Sequence, residues 1–122
     1  MSAVPHNRSI HAYVHKGRIG VLVELGSDTQ MVTSEPEFLA LAQDIAMHVA
    51  AQSPPDVEAL LNQRFVKDQT LSVSALLAEA STRLREKITI TRFVRWDQEP
   101  EPPQARPTPP KSPAMIMSLR RK

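Results

Sequence analysis

The sequence predicts an α+β fold: a three-stranded, mostly antiparallel sheet covered by two main helices, followed by a disordered Pro-rich C-terminal tail. Three observations predict it. Two alternating apolar segments, SIHAYVH and RIGVLVEL, are joined by a Lys16-Gly17 corner. Two stretches with apolar residues at helical spacing follow, and a third strand-like run closes the ordered part. Composition then changes abruptly after Trp96.

The first strand spans Ser9 to His15, with Ile10, Ala12 and Val14 opposite His11, Tyr13 and His15, the pattern of a half-buried strand. Glycine tolerates positive φ, so Gly17 turns the chain. Arg18 to Leu25 returns with Ile19, Val21, Val23 and Leu25 on one face.

Ser34-Glu35-Pro36-Glu37 announces a helix, with Ser34 as cap, Glu37 completing a capping box and proline accommodated in the first turn. Phe38, Leu41, Ala42, Ile45 and Val49 form its inward stripe to about Gln52, where Ser53-Pro54-Pro55 ends it. Asp56 to Leu61 has room for a turn or two of helix. Ser72 caps a second main helix over Val73 to Leu84, with Val73, Leu76, Leu77, Ala80 and Leu84 inward. Ile88 to Trp96 is the closing strand, with Ile88, Ile90, Val94 and Trp96 expected on one face and Phe93 on the other. Helices on one side of such a sheet are the economical packing.

Residues 1–8 read as an N-terminal extension, 9–96 as the core domain and 97–122 as the tail. Residues 97–113 carry seven of the eleven prolines, and proline removes amide donors and fixes φ, so an extended, disordered segment is expected. Residues 1–96 hold ten Lys/Arg and ten Asp/Glu, while 97–122 hold five and three, so the net charge of +2 sits in the tail. The balanced core gives no case for phosphate binding. Arg106, Lys111, Arg120, Arg121 and Lys122 lack interleaved aromatics and offer a nucleic acid only weak, salt-sensitive contact. Met115, Ile116, Met117 and Leu119 beside that basic end leave open a short docking helix as against a frayed tail.

Cysteine is absent, which excludes disulfides, thiolate metal sites and cysteine nucleophiles and fits a reducing compartment. No apolar run is long enough to span a bilayer and the start does not read as a secretory signal. A cytoplasmic protein is therefore expected, with an organelle matrix as the alternative.

The chemistry of the chain is sparse. His11 and His15 share a strand face but lie about 13 Å apart by the usual strand rise, too far for one metal ion. His48 is a lone helical histidine, read as a surface or interface residue. No glycine-rich phosphate loop and no nucleophile–base–orienter set is evident, so neither catalysis, a metal nor a cofactor is expected.

One loop stands out. In LVELGSDTQMV, residues 22–32, a strand runs into a Gly-Ser-Asp-Thr corner and then presents Met31, a large apolar side chain where polar residues are usual. Either Met31 packs against its own hairpin or it projects into a partner.

The segments RIGVLVEL, LAQDIAMHVAA and FVKD, with a closing strand ending RFVRW, resemble in order and spacing the core domain of the elongation factor Ts family. The resemblance covers about residues 9–96. It implies a dimerisation-type α+β core, no catalytic chemistry, and elongation factor Tu as partner, whose GDP/GTP exchange the family promotes. The core of the family can pair across its sheet, so a homodimer is a further expectation. The family signature after the hairpin is Thr-Asp-Phe-Val, whose acid and ring wedge into the partner. Here Thr29 and Val32 match it, Gln30 replaces the acid and Met31 the ring. The resemblance thus assigns partner contact to Asp28, Thr29, Gln30, Met31 and Val32, together with Met47 and His48 on the long helix.

Two further departures are expected. The helical N-terminal module of the family has no counterpart in the eight residues before the first strand, and its long insertion is replaced by Ser53 to Asn62. A second core copy in longer members lacks the wedge, and this chain is similar to such a copy standing alone. The competing function is a binding module or scaffold subunit of a translation-related assembly, without exchange activity.

Overall fold

A computed structural model describes residues 7–98; the expected N-terminal extension up to residue 6 and the tail from residue 99 lie outside the described residues. β1 (Asn7–His15) and β2 (Ile19–Ser27) form an antiparallel hairpin. Its corner places Lys16 and Gly17 at positive φ, with the Arg18 amide donating to the His15 carbonyl at 2.9 Å across them. A 3₁₀ turn (Met31–Ser34) leads into α1 (Pro36–Gln52), and α2 (Val57–Asn62) follows. A short hairpin, β3 (Arg64–Phe65) with β4 (Asp68–Ser72), precedes α3 (Val73–Leu84), and β5 (Thr89–Asp97) pairs antiparallel with β2. The main sheet therefore has the order β1-β2-β5, the α+β arrangement that the sequence predicts.

The helix boundaries follow local chemistry. Asp56 caps α2 by accepting from the Ala59 amide at 2.8 Å, and Ser72 caps α3 by accepting from the Ala75 amide at 3.1 Å. The expected capping box of α1 does not form. Ser34 belongs to the 3₁₀ turn, Glu35 occupies the cap without a side-chain bond, and Glu37 instead pairs with Arg83 of α3. Ser53 ends α1 in the left-handed conformation, ahead of Pro54-Pro55. The β3–β4 hairpin, with only two residues in its first strand, is below the length at which alternation reveals a strand.

The core lies between the sheet and the helices. α1 packs across β1 and β2, α2 meets β5, and α3 lies against α1 and α2. Phe38, Leu41, Ala42, Ile45 and Val49 of α1 are buried, as are Val73, Leu77 and Ala80 of α3, with Leu76 and Leu84 half-buried beside them. The spacing-derived stripes thus face one core.

Two strand faces differ from expectation. Residues directly opposite in an antiparallel pair share a face. His11 and Tyr13 lie opposite Val23 and Val21, so the histidine face of β1 points to the helices and Ile10 and Val14 point away. His11 is accordingly half-buried, with its ring edge-on to Phe38, centroids 5.6 Å apart. In β5, Ile90 pairs with Leu25 and Arg92 with Glu24, leaving Thr91 as an extra residue. That bulge keeps Ile90 and Phe93 on the core side, against the expected separation of Phe93, and turns Val94 and Trp96 outward. The outer face thereby gathers Ile10, Val14, Leu22, Val94 and Trp96, all exposed.

The bulge is held by Glu24. Its carboxylate accepts from the Thr91 hydroxyl at 2.6 Å and from Nε of Arg92 at 3.2 Å. The Thr91 hydroxyl, followed by Arg92, holds the Glu24 carboxyl below its ordinary range against the opposing effect of burial.

Candidate partner-binding site

The turn after β2 is assembled by polar contacts from three segments. The Ser27 hydroxyl donates to the Thr29 carbonyl at 2.9 Å, and the Asn7 side-chain amide donates to the Asp28 carbonyl at 3.0 Å. From the far side, one carboxylate oxygen of Glu86 accepts the amides of Asp28 and Thr29 at 3.1 and 3.0 Å. The other oxygen accepts the Thr29 hydroxyl. Asp28 reciprocates by accepting the Lys87 amide at 3.1 Å.

Glu86 reaches this position because Arg85 ends α3 in the left-handed conformation, with the Arg85 and Glu86 amides both donating to the Ser81 carbonyl. The Ser81 hydroxyl then accepts the Ile88 amide at 3.0 Å, aligning the start of β5. The same device that terminates the helix aims the carboxylate.

Beyond the clamp the chain bends once more. The Gln30 carbonyl accepts the Thr33 amide at 3.1 Å and the Thr33 hydroxyl at 2.6 Å, closing the 3₁₀ turn. Val32 is driven into the core, and Met31 on the other side of the turn stays 78% exposed. Met31 is therefore not packed against its own hairpin.

The sequence-assigned residues therefore separate by environment. Asp28 and Thr29 are exposed but occupied in holding the turn, Gln30 and Met31 form the free tip, and Val32 anchors it. Met47 and His48 are not brought to this tip. Met47 lies 11 residues beyond Pro36, about 16 Å along the axis at the usual helical rise. It is half-buried and lines an open groove with Tyr13, His15, Ile19, Ala51 and Arg95.

His48 is not a surface residue: its exposure is 0%. Its Nδ1 accepts the Val66 amide at 3.1 Å, so the ring proton resides on Nε2, which donates to Oε1 of Gln63 at 2.9 Å. The ring also lies beside Phe65, and burial holds its pKa below the ordinary value. A helical histidine next to Met47 carries no local sign of this partnership, since Gln63 and Val66 lie 15 and 18 residues away. Glu86 was equally invisible, 57 residues from Thr29 and on the far side of a helix.

Among the described residues, no group of three His, Asp or Glu side chains could hold a metal ion. Nor is any described helix long and apolar enough to cross a membrane. The chemical means at the tip are an apolar, adaptable side chain and a neutral amide hydrogen-bonding group, both presented by a fixed backbone.

The family model for elongation factor Ts matches residues 1–59, which include the hairpin, the tip and α1. The chain is 31% identical to the elongation factor Ts of Rubrobacter xylanophilus over 75% of its own length, covering 71% of that relative. It belongs to the elongation factor Ts family. The elongation factor Ts of Nostoc punctiforme is also 31% identical, over 71% of this chain and 43% of the relative. That of Streptomyces griseus is 43% identical over 77 residues, 63% of this chain and 27% of the relative. The chain thus spans less than two thirds of the length of several of these relatives. The alignment to the Rubrobacter elongation factor Ts runs over 138 residues, longer than this chain of 122, so that relative carries stretches without a counterpart here. Membership places the chain among the elongation factors of protein biosynthesis.

Proposed function

We propose that this chain binds elongation factor Tu through the Gln30-Met31 tip and promotes GDP release during translation elongation in the cytoplasm. The observation that carries the reading is Met31, 78% exposed on a turn whose backbone is fixed from both sides. An exchange factor needs no bond-making chemistry. It stabilises the nucleotide-free state of its partner, and any contact made better in that state than in the nucleotide-bound one accelerates release. A rigid apolar tip supplies such a contact at low ordering cost. Stopped-flow release of labelled GDP from cognate elongation factor Tu tests it: acceleration at micromolar concentrations of the chain is expected, and none would sink the reading.

A second reading is binding without exchange, as a scaffold subunit, and neutral Gln30 in the place of an acid favours it. Stable co-purification with elongation factor Tu and an unchanged GDP release rate would select it. The exposed apolar outer face of the sheet supports a homodimer in either case, since soluble proteins seldom leave such a face unpaired.

A further inference from the structure

We infer that Glu86 is the positioning residue of the 28–32 turn, setting the direction in which Met31 projects; the inference rests on the reading of that turn as the docking element. Among the described residues, three attachments reach the turn from segments distant in the chain. Asn7 holds the Asp28 carbonyl, the Lys87 amide holds the Asp28 side chain, and Glu86 takes two consecutive backbone amides and a hydroxyl.

Glu86 is the attachment on which the backbone direction depends. Two adjacent amides converge on a single oxygen, at 3.1 and 3.0 Å, which fixes the peptide plane between Asp28 and Thr29. The next carbonyl but one, that of Gln30, starts the 3₁₀ turn, so the orientation of that plane is passed on to Met31. Hydrogen bonds to an ionised carboxylate are roughly twice as strong as neutral ones, and a bidentate acceptor adds direction to energy. Without it, two amides at an exposed turn would bond to water and the tip would sample several conformations, each contact with a partner then costing ordering entropy. The hydrogen bonds of Glu86 to this turn all go to Asp28 and Thr29, so its effect on the tip is exerted through the backbone.

Full-length Glu86→Ala and Glu86→Gln, compared with wild type, test this by amide hydrogen exchange and by GDP release from elongation factor Tu. The decisive amide is Thr33, which bonds to Gln30 and not to Glu86. In Glu86→Ala its exchange is expected to accelerate about tenfold while α1 amides keep their protection, and GDP-release acceleration is expected to fall about tenfold. Glu86→Gln keeps the Oε1 acceptor and is expected to restore most of both. Unchanged Thr33 protection in Glu86→Ala overturns the inference, as does a loosened turn with wild-type GDP release. If the wild-type chain itself fails to accelerate release, the functional reading falls, and Thr33 exchange still decides whether Glu86 holds the turn.

Discussion

His48 and Gln63 face one another at 2.9 Å inside the protein, the imidazole donating from Nε2 to the side-chain carbonyl. With Nδ1 accepting the Val66 amide, the ring joins α1 to the segment on either side of the β3 strand. It therefore acts as a buried polar rivet beside the apolar core.

Removing that rivet leaves a cavity and strands two polar groups. His48→Ala is expected to destabilise the fold by about 3 kcal/mol. Urea denaturation followed by circular dichroism measures it, and a loss below about 0.5 kcal/mol, the range of ordinary surface substitutions, would contradict the burial.

Burial holds both His48 and His11 below their ordinary value of 6.5 in the folded state. The unfolded chain then binds protons to these rings before the folded one does. Stability is expected to be flat above about pH 6.5 and to decline as pH falls below it. Glu24 and Asp68 are held low by hydroxyl donors, chiefly Thr91 and Thr70, so a further loss begins as pH falls into the ordinary carboxylate range and continues below it. Thermal melts across pH 4–8 check the sign, and in His48→Gln the first decline should shrink.

Met31→Ala separates docking from folding. Because the side chain is exposed and lies outside the core cluster, stability should change by no more than about 0.5 kcal/mol. GDP-release acceleration should drop several-fold in the same variant. Equal activity in Met31→Ala and wild type, by stopped-flow fluorescence, would remove Met31 from the contact.

Phe38 lies at the centre of the core, fully buried and met edge-on by His11. Phe38→Ala is expected to cost about 3–5 kcal/mol, which for a domain of this size leaves little net stability. Guanidinium titration of the variant, or its failure to fold at 25 °C, gives the answer.

The outer face predicts an oligomer that disperses on local change. Trp96 is 74% exposed beside Val94 and Leu22, and Trp96→Ser should leave the melting temperature of dilute protein nearly unchanged. If two copies pair through this face, the same variant should sediment as a monomer at concentrations where wild type is a dimer. Identical sedimentation of the two would exclude the face from pairing.

Local chemistry in the chain specified the order of the three main strands and two main helices, the buried stripes of α1 and α3, the Ser72 cap and the Lys16-Gly17 corner, but not the β3–β4 hairpin. Each of these depends on residues within a turn or two of one another. Residues 28–32 also stood out locally, because an apolar Met31 follows a polar corner. Tertiary structure alone decided which strand faces meet the helices. Alternation shows that β1 and β5 have two faces, but register against β2 places His11 and Tyr13 inward, and one extra residue at Thr91 sends Val94 and Trp96 outward. It also decided that His48 is enclosed by Gln63 and Val66, and that Glu86 grips Asp28 and Thr29. These outcomes depend on groups 15 to 58 residues apart meeting at hydrogen-bond distance, and no local pattern of polarity records such a meeting.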